Sequence, residues 1–261
     1  MSVRPLILAL VVVFGICLCT QAAAPAASDA PPALKKGDKI VFLGDSITAG
    51  GGRPDGYITL IKAALEAQAK DLGVEALNAG ISGNKVPNLQ ARLEKDVLDK
   101  KPTIVFIYIG INDVWHWKKQ PDGSMKGGTP KDQYEAGLKE IIGKIKAAGA
   151  RCILCTPSVI GEKNDGSNER DAMLEEYAAI SRSVAKDAGV QLLDLRRAFI
   201  DCEKANNKDN QPKGVLTTDS VHLNAAGNRL VADEMLKALG LGPAPALPAA
   251  TPAPAKPAEK K

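Results

Sequence analysis

Histidine is scarce in this chain. Its 261 residues hold two, His116 and His222, so chemistry that needs an imidazole has only two places to start. The scarcity also counts against a metal centre, because no closely spaced pair such as His-x-His is there to open a ligand set. An excess of one charge is missing as well. The formal balance is +4, but Arg4 supplies one unit and the stretch after residue 242 supplies two, leaving residues 5–242 with a single net positive charge. A nearly neutral body offers no electrostatic footing for nucleic acid. Beyond the N-terminal apolar run only three cysteines remain, Cys152, Cys155 and Cys202. The odd count argues against a disulfide framework. Cys152 and Cys155 stand three apart in a strand-like run, on opposite faces, which argues against a CxxC redox or zinc site and makes them small buried hydrophobes. Aromatic residues are few (two Trp, four Tyr, four Phe), so no long aromatic-lined tunnel is evident.

Nor does any apolar run reach bilayer length. The longest, 6-LILALVVVFGICLC-19, has fourteen residues against the roughly 20 that span a membrane. With Arg4 before it and 22-AAA-24 after it, residues 1–24 read as a secretory signal peptide. Residues 25–37 and 243–261 are rich in Pro and Ala and bury too little to offset ordering entropy, so a flexible leader and a disordered tail are expected. The predicted domain is 38–242 of a secreted or periplasmic protein, with no stable membrane partner.

Within that span, apolar β-type runs recur at 39–44, 74–79, 103–110, 151–156 and 190–195, separated by helical spacings at 57–69, 87–99, 130–148, 167–188 and 224–239. Three helices end alike before a strand, at 71-DLGV-74, 147-AAGA-150 and 187-DAGV-190, as expected of a glycine closing each helix. Strands that are apolar throughout and alternate with helices predict a three-layer α/β/α domain on a parallel five-stranded sheet. The polar motifs follow strand ends, where open parallel sheets carry their sites. With strand order 2-1-3-4-5, the first and third strands flank the reversal and bring Ser46 and Asn112 to one crevice.

The first of those motifs is 44-GDSITAGGG-52. It lacks the Lys-Ser/Thr of a P-loop and does not match GxGxxG, so a nucleotide site is disfavoured. It presents the hydroxyl of Ser46, which needs a base to become a nucleophile. His222 lies in 218-TDSVHLNAAG-227, three residues after Asp219, and an Asp that close can fix the imidazole tautomer. Donors for a developing oxyanion are available from the Ser46 N–H, the Gly83 N–H of 80-GISGN-84 and the Asn112 amide. Gly80, in the same block as Gly83, competes for that assignment. Asp45 and Asp113 read as structural carboxylates that bond loop amides or cap helices. The stretch 114-VWHWKKQPDGSMKGGT-129 reads as a long loop whose Trp115, His116 and Trp117 are candidates for substrate contact, against packing of the tryptophans on the loop's own base.

The blocks GDSIT, NAGISGN, GIND and DSVH, in this order over about 39–239, resemble the GDSL or SGNH hydrolase family. The resemblance implies a flavodoxin-like domain and an ester hydrolase needing no metal or organic cofactor. It implies Ser46, Asp219 and His222 as a triad and Ser46, Gly83 and Asn112 as the oxyanion hole. The first block departs by one residue, carrying Ile47 where many members have Leu. The expected substrate is a small-molecule or oligosaccharide ester, with carbohydrate deacetylation favoured by export and the Trp-bearing stretch. A lysophospholipase or short-chain lipid esterase is the alternative. A metal-dependent phosphoesterase built on Asp45, Asp113, Asp219 and His222 and a non-catalytic carbohydrate-binding module stand behind it. An α/β-hydrolase elbow is disfavoured, since Thr48 stands where GxSxG needs glycine. Sequence gives no oligomeric state.

Overall fold

Residues 32–246 are described by the structure, a computed structural model. The expected signal peptide 1–24, the leader up to residue 31 and the tail from 247 onward lie outside the described residues. Five strands form one parallel sheet: β1 (Lys39–Gly44), β2 (Glu75–Gly80), β3 (Ile104–Tyr108), β6 (Arg151–Cys155) and β7 (Gln191–Leu193). Their order, β2-β1-β3-β6-β7, is the predicted 2-1-3-4-5 once the short hairpin strands β4 (Lys118–Lys119) and β5 (Met125–Lys126) are set aside. The central strands are apolar at nearly every position because helices cover both faces, and every residue of β3 is buried. Phe42 of β1 stacks on Phe106 of β3 with ring centroids 5.2 Å apart.

The helices are α1 (Ser46–Gly50), α2 (Tyr57–Gln68), α3 (Val86–Asp96), α4 (Ile111–Trp115), α5 (Lys131–Ala147), α6 (Asp171–Ala188), α7 (Leu195–Asn206) and α8 (Ala225–Ala238). Right-handed crossovers decide which face each one covers. Only the β1-to-β2 connection runs toward the β2 edge, and its helix α2 packs with α8 and, through α8, with α7. The connections running the other way carry α3, α5 and α6, which pack on one another. Gly73, Gly149 and Gly189 all hold left-handed backbone at the three predicted helix ends. No helix among the described residues is long and apolar enough to cross a membrane.

Some elements differ from the sequence expectation. The strand expected at 190–195 ends at Leu193, because Asp194 accepts a hydrogen bond from the Arg197 N–H and starts α7, a helix the apolar periodicity did not reveal. The helix expected from 167 begins at Asp171, since the Asp165 side chain bonds the Ser167 N–H and holds a turn there. The stretch 114–129 is not a plain loop: it finishes α4 and then forms the β4–β5 hairpin, closed by a Gln120 N–H bond to the Ser124 carbonyl. At the other end the chain stays packed past residue 242. The Ala244 N–H bonds to Asp233, and Ala244 is buried.

Candidate active site

Three neighbouring strand ends set the frame. Gly44 of β1 pairs in register with Gly80 of β2 on one side and Tyr108 of β3 on the other, so the segments following all three strands emerge together. A Cβ on Gly44 would lie 2.1 Å from the Thr48 hydroxyl and 2.5 Å from the Tyr108 carbonyl. The chain can therefore turn sharply into α1 only with glycine there. Asp45 caps α1 through a 2.9 Å bond from the Ile47 N–H, which leaves Ser46 as the first helical residue, partly exposed.

The partners of Ser46 arrive from the far end of the chain. His222 Nε2 lies 2.9 Å from Ser46 Oγ, and His222 Nδ1 lies 2.7 Å from Asp219 Oδ2. The other oxygen of Asp219 accepts from the Val221 and His222 N–H groups, folding 219–222 into a tight turn. Ser220 adopts left-handed backbone (φ 81°) at its apex. Partial burial opposes ionisation of Asp219, but these bonds outweigh it and hold its carboxyl below the ordinary carboxylate range. An ionised Asp219 accepts the Nδ1 proton, so Nε2 is the ring nitrogen free to take a proton from Ser46. The relay is open to solvent, with the Asp219 side chain about half exposed (51%).

Asn112 sits in α4 just past β3 and is buried; its amide donates to the Asn84 carbonyl at 3.0 Å, which leaves the second amide N–H available. The two candidate glycines separate. A Cβ on Gly80 would fall 2.1 Å from the Ala49 nitrogen, so its smallness lets β2 abut α1. Gly83 has φ +78° with nothing within 4 Å of a built Cβ, an exposed turn that only its backbone conformation ties to glycine. Of the two, Gly83 has the freer backbone amide.

The Trp-bearing stretch divides as well. Trp115 is 40% exposed and meets the His222 ring edge-on, centroids 6.3 Å apart. Trp117 packs over Gly128 and donates its indole N–H to Tyr177, so it braces the base of its own segment. His116 lies beside Trp115 and makes no ring hydrogen bond among the described residues; partial burial, with Lys85 and Lys118 nearby, lowers its pKa. It is not joined to the Ser46 relay.

Two buried carboxyls underlie the site. Burial pushes Asp45 up to about 7 and Asp113 up to about 6, each opposed in part by a backbone N–H, from Ile47 and Val86 respectively. Each bonds a first-turn helix amide, Asp45 in α1 and Asp113 in α3, a structural role their sequence context suggested. Two further residues hold the site together and were not singled out from sequence. Arg92 of α3 donates to the Gly44 carbonyl and to the Asn84 side chain, tying the ends of β1 and the 80–84 block to one guanidinium. Glu162, fully buried after β6, accepts from the N–H groups of Val215, Leu216 and Thr217 and from the Thr217 hydroxyl. It thereby anchors the strand of chain that leads into Asp219 and His222. An isolated Glu in a polar loop and an Arg on a helix carry no local signal of such roles.

A crevice of about 620 Å3 opens at Ser46 and His222 and runs past Arg53 and Asp55. Among the described residues no group of three or more His, Cys, Asp or Glu side chains is arranged to hold a metal ion.

A parallel α/β/α sheet with serine, glycine, asparagine and histidine delivered from four separated blocks defines an SGNH-type hydrolase. The chain belongs to the GDSL-like lipase/acylhydrolase family, which matches residues 42–230. It is 34% identical over 221 residues to an acetylxylan esterase of Geobacillus stearothermophilus, covering 79% of this chain and 96% of that protein. It is 26% identical over 209 residues to the isoamyl acetate-hydrolyzing esterase 1 homolog of Rattus norvegicus, covering 74% of this chain and 78% of that protein. The crystal structure of an acetyl xylan esterase, AlAXEase, superposes with a TM-score of 0.72 at 43% identity, covering 77% of this chain and 99% of that one. The chain is a carboxylic ester hydrolase.

Proposed function

We propose that this protein is an exported esterase that removes acetyl groups from a carbohydrate through an acyl-enzyme. The observation that carries the mechanism is the unbroken relay from Ser46 Oγ through His222 to Asp219, at 2.9 and 2.7 Å. His222 takes the Ser46 proton as the hydroxyl attacks the ester carbonyl. The tetrahedral oxyanion is met by the Asn112 amide and the Ser46 and Gly83 N–H groups, preorganised donors worth roughly 3–4 kcal/mol each. His222 then protonates the departing sugar oxygen. A water, deprotonated by the same ring, releases acetate and returns Ser46 to its starting state.

The acyl part is read from the relatives, whose names share one feature: acetylxylan and isoamyl acetate are both acetyl esters. The alcohol part is read from the xylan in two of them and from the exposed indole of Trp115 beside His222. The signal-like N-terminus supports action in the medium or the periplasm. Ser46→Ala and His222→Ala are each expected to abolish p-nitrophenyl acetate hydrolysis while keeping the wild-type circular-dichroism spectrum. Full activity in either variant rejects the mechanism. Acetylated xylooligosaccharides should be turned over far faster than lysophosphatidylcholine, and the reverse ranking would replace the carbohydrate reading with a lipid one.

A further inference from the structure

The Asp219–His222 turn, whose ends line the Ser46 crevice, also contributes Ser220 to a second hollow of about 400 Å3, within the roughly 300–1,000 Å3 of small-molecule sites. Its lining includes Trp115, Trp117, Lys118, Lys163, Arg170 and Ser220. It borders the relay at two points. Trp115 lines it and touches the His222 ring edge-on, and Ser220, the residue after Asp219, forms part of its wall. The Ser220 carbonyl accepts the Gly161 N–H at 2.8 Å, which joins the turn to the segment that carries Lys163.

The wall is held in place rather than loose. Trp117 is pinned by its bond to Tyr177, and Arg170 donates to the Trp117 carbonyl at 3.0 Å. The charge is one-sided. Three cations face one carboxylate, Glu169, whose side chain is 87% exposed and stands 3.7 Å from Arg170. The ammonium groups of Lys118 and Lys163 have no hydrogen-bond or ion-pair partner among the described residues. An exposed indole offers a flat apolar face to the C–H groups of a sugar ring, and unpaired cations beside it suit a carboxylate at the ring's edge.

We propose that this hollow is a subsite for an acidic sugar, so that the substrate is an acetylated oligosaccharide bearing a uronic acid. The sugar ring rests on Trp115, and its carboxylate lies among Lys118, Lys163 and Arg170. The acetyl ester on a neighbouring unit then reaches Ser46 across the His222 side of the turn. This inference rests on the carbohydrate-deacetylase reading.

The test compares two acetylated xylooligosaccharides of equal length, one neutral and one carrying a glucuronic acid branch, as kcat/KM across a salt series. The acidic substrate is expected to lead on the order of three- to tenfold at low ionic strength, the scale of partly exposed charge pairs, and to lose that lead as salt screens the cations. Lys163→Glu and Lys118→Glu, at a half-buried and an exposed position respectively, should drive the acidic-to-neutral ratio to one or below. Neutral and acidic substrates hydrolysed equally at low salt, or a ratio untouched by both variants, overturns the subsite while leaving the deacetylase reading in place. If neither oligosaccharide is turned over while p-nitrophenyl acetate is, the deacetylase reading falls and takes the subsite with it. Preference for a lysophospholipid over both would give the cations to a phosphate instead and also overturn the proposal.

Discussion

Asp219 holds its position through both oxygens, one on the Val221 and His222 backbone and one on the His222 ring. That division makes Asp219→Asn informative. The amide oxygen can keep the turn, but the amide N–H2 then faces Nδ1 and favours the tautomer with the proton on Nε2, which cannot accept from Ser46. A kcat loss on the order of 10²–10⁴-fold with an unchanged melting temperature is expected in p-nitrophenyl acetate assays. In the proposed mechanism Asn112 donates to the oxyanion, and its amide is oriented by its bond to the Asn84 carbonyl. Asn112→Ala should lower kcat on the order of a hundredfold or more with little change in KM. A change confined to KM would remove Asn112 from the oxyanion hole. The proposed nucleophile, base, turn carboxylate and amide could all be singled out in the sequence: Ser46 and Asn112 lie in short polar blocks after apolar runs, and Asp219 and His222 stand three apart just before a helical spacing. Arg92 and Glu162 were not, because their meaning resides in groups 48 and 53–55 residues away in the chain.

At the level of elements, two glycines in one block answer to different physics. Gly80→Ala would thrust a methyl group into the α1 backbone and should cost about 3 kcal/mol or more, visible as a lowered denaturant midpoint. Gly83→Ala meets open space and incurs only the left-handed backbone penalty, about 1 kcal/mol. Equal destabilisation by the two would contradict this division. The segment 215–217 depends on Glu162 in a comparable way. Glu162→Gln turns an acceptor into a donor facing backbone N–H groups, and is expected to cost about 2–3 kcal/mol and to lower kcat as the Asp219–His222 turn slackens. Long helices and strands announced themselves by their periodicity. The short α1 and α4, which begin at or beside the candidate residues Ser46 and Asn112, and the β4–β5 hairpin are too brief to establish a period, and α7 was hidden because it starts without a loop after β7.

Across the whole fold, three carboxyls among the described residues are pushed upward by burial. Burial, with Glu162 nearby, pushes Glu203 up to about 8, and one of its oxygens has no hydrogen-bond partner among the described residues. Asp45 and Asp113 are raised by burial to about 7 and about 6. All three shifts have the same sign. Where a folded carboxyl holds its proton above the unfolded pKa, the unfolded state binds fewer protons and stability falls as pH rises. The loss begins near pH 4 and is complete by about pH 8, the highest of the three values. The melting temperature should therefore be highest under mildly acidic conditions and decline toward pH 8. Glu203→Gln, which removes one of the three groups, should flatten that decline; an unchanged slope would show that Glu203 ionises freely in the fold.

The sequence by itself determined the layered fold and the strand order at the reversal, and it singled out Ser46, Asp219 and His222, which the structure joins by hydrogen bonds, with Asn112 as a further candidate. Apolar runs, helix-closing glycines and polar blocks are local patterns, and hydrophobic burial converts local patterns into layers. Only the tertiary structure decided which glycine packs and which is free, that Trp115 faces His222 while Trp117 braces its own segment, and that a cationic hollow adjoins the relay. Those outcomes depend on distances between groups remote in the chain, and a linear pattern contains no such distances.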